Sequence, residues 1–475
     1  MSIKIKSYHS LTKNDEIIKT EFKIENCITA FANSIRRILL SNIPIVAFDD
    51  TWHNDPQKRN ILIHKNTSAI HNEFLSHRIS LLPIYMQSNH HLKISTILNK
   101  SQSIRKFQFK DKNNVPIFYL KIKNNTQTRL DKNIVGSIEV FSNDFTVKNT
   151  ITDIEEDIHT YIKPDPYTND YCIIDLLKSN ILNDDEGEEI DLEAKPTIGL
   201  GIINARYTPV GTVSYSFDVD EEKVDDVFNL NIEYKNNERT KKKLNVLSQS
   251  EINKMKQSFH LLDKERVFKT NSFGEPNIFK FSVESIGFMN SDQLVLDSFY
   301  ILELMLRDIL NSIDYTQTDD EIKFTYTDKI SIEPSYDELL GYFINIQNEN
   351  HTIGNLISEY YKALYCRNNT NIITFASYRM PHPLKERIEI KCKLNNSYDV
   401  QTTHKELTSE LLNRVLPKSH KSKEKQELDI VTIVFMKTIH HILDDIEHVK
   451  TQWKRETNIE NPSFEILDNE SYFNK

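Results

Sequence analysis

Between positions 26 and 49 the apolar residues Ile28, Phe31, Ala32, Ile35, Ile38 and Leu39 fall at i, i+3, i+4, i+7, i+10 and i+11. That spacing gathers them on one face of an amphipathic helix. Asn26 is placed to cap it, because its side-chain oxygen can accept from an otherwise orphaned backbone N–H. Ser41-Asn42 before Pro44 ends it, since proline has no N–H to carry the ladder on, and a short strand follows. Arg36 and Arg37 are adjacent and diverge by about 100° on a helix, so at least one leaves the apolar face. On this segment alone they read as solvated surface arginines.

The same alternation of strand and helix patterns continues along the chain. Ile3 and Ile5, then Ile18, Phe22 and Ile24 after a polar turn, predict two strands before the first helix. Over 66–84, Thr67 or Ser68 can cap a helix with Ile70, Phe74 and Leu81 on one side, ended by Pro83. Its polar side carries His71, Glu73, His77 and Arg78. Short strands are expected at 115–122, 134–141 and 171–177, and 194–217 reads as loop then strand around Pro209. Phe279, Phe281 and Val283 alternate with polar residues as a half-buried strand. A helix from Ser291 to about Ile313 then carries Leu294, Ile301, Leu302, Met305 and Ile309.

From about 320 the pattern repeats. Strands are expected at 322–332 and 342–347, then a helix with Ile353, Leu356, Ile357, Tyr360, Tyr361 and Leu364. Strands at 372–379 and 387–394 follow, and a long helix carries Val431, Phe435, Ile439, Ile442, Ile446, Val449 and Trp453. The two halves look like versions of one α+β unit, each a small sheet with two apolar helical faces that the sheet cannot cover. Docking about a pseudo-twofold axis buries all four helices. The predicted domains are 1–52 with 276–316, a mostly β insertion over 53–275, a second unit over 317–456 and a tail over 457–475. Within the insertion, 218–275 is so highly charged that it reads as a mobile loop.

Composition narrows the function classes. The 475 residues carry a net charge of −10, which favours a protein partner over direct nucleic-acid binding, where phosphate neutralisation supplies most of the affinity. Mean hydropathy is −0.51, with no apolar run long enough to cross a bilayer and no secretory signal, so no membrane association is expected. Cys27, Cys172, Cys366 and Cys392 show no paired spacing, which argues against a disulfide framework or a cysteine zinc site. Asn, Ile and Lys are heavily used and only 9 residues are glycine, a hint of an AT-rich genome.

Several stretches then resemble one family closely. ITAFANSIRRILLSNIPIVAFD and NTSAIHNEFLSHRISLLPI are similar to signatures of the larger α-like subunit of multisubunit DNA-directed RNA polymerases. GLGIINARYTPVG and FKFSVESIGFMNSDQLVLDS resemble its later landmarks. NENHTIGNLISEYYKAL and ITFASYRMPHPLKERIEIKC resemble the small α-like subunit. The resemblance covers most of the chain except about 90–160, 218–275 and the last twenty residues. It implies a fusion of the third-plus-eleventh subunit type, or archaeal D plus L type, as in large DNA viruses of eukaryotes. The implied role is a noncatalytic platform without cofactor or metal, which assembles the largest and second-largest subunits and small adaptor subunits. DNA is then met only through the complex. The implied location is the virion and host cytoplasm, or the nucleus if the source is cellular.

Carried over residue by residue, the surface facing the second-largest subunit is Arg36, Arg37, Asn66, Thr67, Ser68, His71, Glu73, His77 and Arg78. The planar, weakly hydrated arginine fork suits such an interface. The intramolecular dimerisation core is Ile28, Phe31, Ile35, Leu39, Leu302, Met305, Leu356, Tyr360, Phe435 and Ile442. Two departures stand out. Cys172 is the only cysteine between Cys27 and Cys366, so the family's cysteine-rich element is missing. Ser358 and Glu359 stand where an arginine is usual in the small half.

Other chemistry reads more weakly. Asp218 and Asp220 with Glu221 and Glu222 could chelate Mg²⁺ in a metal-dependent nucleic-acid enzyme, the alternative function, although an acidic solvated loop has the same pattern. His64, His71 and His77 lack the i, i+4 spacing of a helical zinc site. The lysine clusters at 241–243 and 418–425 suit a solvated loop, nuclear targeting or a DNA brush.

Overall fold

The computed structural model describes residues 3–13, 16–85, 92–99, 102–109, 115–132, 136–150, 154–165, 168–180, 183, 186–287, 289–317, 322–336, 340–367, 372–395, 399–412 and 422–466. The 418–421 lysines and the end of the C-terminal tail lie outside these residues.

Two four-stranded antiparallel sheets share one topology. In the first unit β1 (Lys4–Lys13), β2 (Glu16–Glu25), β3 (Val210–Phe217) and β4 (Ile278–Ser285) lie in the order β1-β2-β4-β3. In the second, β5 (Ile330–Ser335), β6 (Gly341–Gln347), β7 (Ile373–Arg379) and β8 (Arg387–Leu394) lie in the order β5-β6-β8-β7. Each unit places a helix after its second strand and another after its fourth. These are α1 (Thr29–Ser41) and α2 (Ser291–Leu310) in the first, α3 (His351–Tyr361) and α4 (Lys423–Thr457) in the second. Across the boundary α1 packs on α3 and α2 on α4, so corresponding helices meet as a pseudo-twofold axis requires.

One apolar cluster runs through both units. It contains Phe31, Ile35, Leu39, Leu302, Met305, Leu356, Tyr360, Phe435 and Ile442, all buried, with Ile28 half-buried against its edge. Among the described residues the largest fully buried side chain is Trp453. It leaves the last turns of α4 and inserts into the first unit, with ring centroids 4.8 Å from Phe22, 5.7 Å from Tyr8 and 6.3 Å from Phe299. Its indole N–H donates to the Asp292 carbonyl at 3.0 Å. Beside it, Gln452 donates to the Ile3 carbonyl and accepts from the Ile5 N–H, which fastens α4 to the edge strand β1. One turn earlier Lys450 pairs with Glu303 of α2 at 2.5 Å in a site almost closed to solvent.

After α4 the chain turns through Asn458 in the left-handed region (φ +57°) and folds back as a strap. Phe464 is buried and Ser463 donates its N–H (2.9 Å) and hydroxyl to Asp297 of α2. Burial pushes the Asp297 carboxyl up to about 6, against the pull of those donors and of Gln293. Glu465–Ile466 then pairs parallel with Leu92–Asn99. The start of the expected tail is therefore packed structure.

Several expectations differ from the structure, among them the single strand expected at 322–332, which is two, Ile322–Tyr326 and Ile330–Ser335. Asn26 is not the cap of α1. It takes a left-handed turn (φ +59°), which asparagine tolerates, and the cap position falls to Ile28, which makes no side-chain bond. Val210–Phe217 belongs to the first sheet and not to the insertion, with Val213 opposite Val283 and Phe217 opposite Phe279. Its strand character was legible, but which sheet a strand joins is decided by its pairing partner, here Ile278–Ser285, and alternation does not encode that. The charged stretch 218–275 is not a loop but a helical hairpin, Glu221–Lys241 and Gln249–Leu262. Ser248 and Glu251 cap the second helix reciprocally, and Val224, Phe228 and Phe259 supply a small core beneath the charges.

Between β3's neighbour α1 and β3 itself lies a separate domain with its own core. A five-stranded sheet built on Ile61–Asn66, Ile117–Lys123 and Glu189–Ala194 buries Phe118, Leu120, Ile190 and Leu192 together with Phe48 and Phe145. The helix Asn72–Ser80 closes one side of it. A helix at Val400–Leu412, between β8 and α4, was not expected from the sequence pattern.

Because Trp453 is fully buried across the boundary, Trp453→Ala is expected to cost about 3–5 kcal/mol of stability. Urea unfolding of the full chain reads this directly; a loss under 1 kcal/mol would show that the two units do not depend on this anchor.

Candidate subunit interface

The adjacent arginines of α1 divide between the two units. Arg36 Nε and Nη2 donate to Asn33 Oδ1 one turn earlier, at 3.1 and 3.0 Å, and the side chain faces Tyr215 on β3. Arg37 Nε donates across the boundary to Thr352 Oγ1 at 2.7 Å and faces Tyr378 on β7. Tyr215 and Tyr378 occupy corresponding positions, opposite Phe281 of β4 and Ile390 of β8. Burial pushes both phenols upward, while the nearby guanidinium pulls each the other way. Both arginines are half-buried, so neither is a loosely solvated surface charge. Arg37 holds the two units together in addition to any outward role.

The second group of candidate residues lies on the inserted domain. Asn66, Thr67 and Ser68 form its turn rather than a helix N-terminus. Asn66 Oδ1 accepts from the Ser68 N–H at 2.9 Å and its Nδ2 donates to the Ile70 carbonyl at 2.8 Å. Thr67 exchanges bonds with the Glu189 backbone. The helix starts only at Asn72, capped by His71. Its buried strip is Leu75, Ile79 and Leu82, at i, i+4 and i+7. Phe74 and Leu81, expected on the apolar side, are instead 69% and 56% exposed. Both strips fit the helical repeat, but 75/79/82 places an apolar residue on each successive turn, whereas Ile70 precedes the helix and 70/74/81 skips a turn, so the denser strip takes the core.

The exposed side of this helix therefore presents Phe74, His77, Arg78 and Leu81 together, flanked by His71 and Glu73. Arg78 Nη2 donates to the Ile173 carbonyl at 2.9 Å, which holds the guanidinium against the surface instead of letting it sweep. Phe74 and Leu81 were missed as surface residues. The signal that could have found them is the second, denser apolar strip on the same helix.

The family model for the RNA polymerase Rpb3/Rpb11 dimerisation domain matches residues 21–306, more than half the chain, and a second model of the same description matches 343–416. The chain belongs to this family. It holds two of the family's dimerisation domains in one polypeptide, a fused pair. DNA-directed RNA polymerases II, IV and V subunit 3 of Arabidopsis thaliana is 23% identical over 315 residues, covering 63% of this chain and 90% of the relative. DNA-directed RNA polymerases I and III subunit RPAC1 of Homo sapiens is 24% identical over 314 residues, 63% of this chain and 82% of that one. DNA-directed RNA polymerase subunit Rpo3 of Methanosphaera stadtmanae is 27% identical over 221 residues, 45% of this chain and 64% of that one.

The carboxylates singled out for metal chemistry are engaged otherwise. Asp218 is buried and accepts from three ammonium groups, Lys280 at 2.7 Å, Lys269 at 2.8 Å and Lys23 at 3.3 Å. Burial alone would raise its pKa, but the three lysines outweigh it and hold the carboxyl well below the usual range. Asp220 pairs with Lys223 at 3.0 Å. A carboxylate already balanced by three cations is a poor ligand for a divalent metal, so Asp218 does not fit the metal role that the sequence suggested. Asp218 instead ties the base of the hairpin to β2 and β4. Among the described residues no cluster of three His, Cys, Asp or Glu side chains is arranged to hold a metal.

Since the Asp218 pKa is depressed in the folded state, its stabilisation is complete well above 3.8 and fades as pH falls below that value. Asp218→Asn is expected to lose about 1–3 kcal/mol at pH 7. The gap between variant and parent should shrink below pH 4. A gap that stayed constant down to pH 3 would refute the ion cluster as its source.

Proposed function

We propose that this chain is a noncatalytic assembly platform of a multisubunit DNA-directed RNA polymerase, an intramolecular version of the α-like pair. The observation that carries this reading is the fusion of two family dimerisation domains through one buried core, with an apolar and basic helix face left bare on the inserted domain. The relatives bear the names of DNA-directed RNA polymerase subunits, which supports the same complex here.

In this reading the second-largest subunit docks on the surface that begins at Arg36 and Arg37 and includes the Asn66–Ser68 turn, His71, Glu73, His77 and Arg78. Phe74 and Leu81 join it, because an exposed aromatic beside a held guanidinium is the composition of an interface hot spot. The largest subunit and small adaptors assemble on other faces, and DNA is met through the complex. None of the described helices is long and apolar enough to cross a membrane. The family resemblance implies the virion and host cytoplasm, or the nucleus for a cellular source; recovery in a secreted fraction would count against both.

Phe74→Asp with Leu81→Asp is expected to reduce copurification of the second-largest subunit at least tenfold while leaving the unfolding midpoint of the free chain unchanged, because both side chains are already exposed. Arg36→Glu with Arg37→Glu should block it as well, here with some loss of stability through the Thr352 bond. Undiminished recovery with both pairs would sink the interface assignment. Asp218→Asn with Asp220→Asn should leave transcription by the assembled polymerase intact; loss of catalysis with assembly preserved would reverse the reading.

A further inference from the structure

The outward faces of the two sheets are built from corresponding positions and carry different chemistry. Tyr215 and Tyr378 correspond, opposite Phe281 and Ile390, so Phe22 and Ile344, which pair with those same two residues, correspond as well. One position earlier, Glu21 on β2 is matched by Phe343 on β6, and both point away from the core because neighbours in a strand alternate faces. Thr212 on β3, opposite Glu284, is matched in the same way by Phe375 on β7, opposite Lys393. On the central strands of the first sheet the outward charges are Lys19, Lys23 and Lys280 against Glu21, Glu25 and Glu284, which balance. On those of the second they are Arg387, Lys391 and Lys393 against Glu389 alone. Where the first face is a neutral ladder, the second is basic and holds two phenylalanines, Phe375 exposed and Phe343 half-buried.

Each ring on this face has a cation beside it. Lys391 Nζ lies 5.1 Å from the Phe343 ring centroid and the Arg379 guanidinium carbon 5.2 Å from it. Lys393 stands directly opposite Phe375. Arg379 and Arg387 both pair with Glu389, Arg379 at 2.8 Å, and Arg387 donates to Asn345 Oδ1 at 3.1 Å, so both guanidiniums are held on the sheet. Phe343 and Phe375 are two strands apart, about 10 Å across the sheet. A planar ring with a cation at its side, repeated, complements a nucleotide strand, a planar base with a phosphate at its side, repeated. Ser377, opposite Lys391, adds a hydroxyl that suits a ribose 2′-OH. An acidic peptide would use the cations but has no counterpart to the ring beside each one. The net charge of −10 does not decide the matter, because exposed charges more than about 8–10 Å away are largely screened at physiological salt.

We propose that the outer face of the second sheet binds single-stranded RNA, with bases stacked on Phe343 and Phe375 and phosphates against Arg379, Lys391 and Lys393. The choice of RNA over DNA rests on the assembly-subunit reading, because RNA is the single strand that such a complex releases. The stacking and charge arguments stand without that reading.

The test uses the free full chain and a fluorescein-labelled single-stranded RNA of mixed sequence, about 12 nucleotides long, read by fluorescence anisotropy at about 50 and 200 mM salt. Saturable binding that weakens with salt is expected. Phe343→Leu with Phe375→Leu keeps apolar bulk on the sheet but removes the flat rings, and should weaken binding at least tenfold. Lys391→Gln with Lys393→Gln should weaken it by a similar factor and reduce the salt slope by about 1.4, at about 0.7 for each phosphate contact on a single strand. The thermal midpoint of each variant, measured alongside, is expected to stay at the parent's, because all four side chains point outward. The absence of saturable binding, undiminished binding by the leucine variant, or displacement of the RNA by polyglutamate at equal charge would overturn the proposal. Single-stranded DNA bound as tightly as RNA would overturn the choice of RNA. Failure of the assembly reading is separable, because it is read by copurification of the second-largest subunit, which the free chain does not need in order to bind RNA.

Discussion

Four helices that neither sheet can cover alone impose the main constraint on this molecule. α1 and α2 each bury one side on their own sheet and the other on α3 and α4, so removing either unit would return a large apolar surface to water. Trp453 makes the dependence concrete. It is covalently part of the second unit, yet every ring it touches belongs to the first. Joining the units in one chain makes their pairing intramolecular, so its strength does not fall on dilution as a dimer's would. The ion pair of Lys450 with Glu303 and the bonds of Gln452 to β1 then add direction to what burial alone would leave slippery.

Much of this was legible from apolar spacing because the core obeys simple periods. The helix of Phe31, Ile35 and Leu39 and its echo at Ile353, Leu356 and Tyr360 follow the 3.6 repeat, and the alternation of Phe279, Phe281 and Val283 follows the two-residue repeat of a strand. Where the reading failed, a second effect competed with the period. Val210–Phe217 was read as strand but given to the wrong domain, because its partner Ile278–Ser285 lies about seventy residues on. Charge density hid the hairpin, whose few core residues are diluted among lysines and glutamates. On the Asn72–Ser80 helix two apolar strips coexist, and only packing decides which one faces inward.

The candidate interface was legible in its residue types but not in its partners. Nothing in the sequence says that Arg37 reaches Thr352, 315 positions away, or that Arg36 spends its hydrogen bonds on Asn33. Such bonds depend on the fold having already closed. They also change what the arginines are for. A guanidinium fixed by Asn33 or Thr352 loses less entropy when a partner arrives than one waving in solvent, and preorganisation of that kind favours binding.

The interior is nearly symmetric and the exterior is not, and the difference has a structural origin. Two insertions fall within the first unit, one between α1 and β3 and the other between β3 and β4, while the second unit keeps short connections there and instead adds the Val400–Leu412 helix between β8 and α4. Counted from Asn33 and Asn355, the positions of Arg36 and Arg37 are held in the second unit by Ser358, which is buried, and Glu359, which is tied to Lys362 at 2.7 Å. A self-complementary core would by itself offer the same face twice and could not tell one large partner from another. Breaking the symmetry only at the surface keeps the core that holds the pair together and gives each side a different chemistry to present.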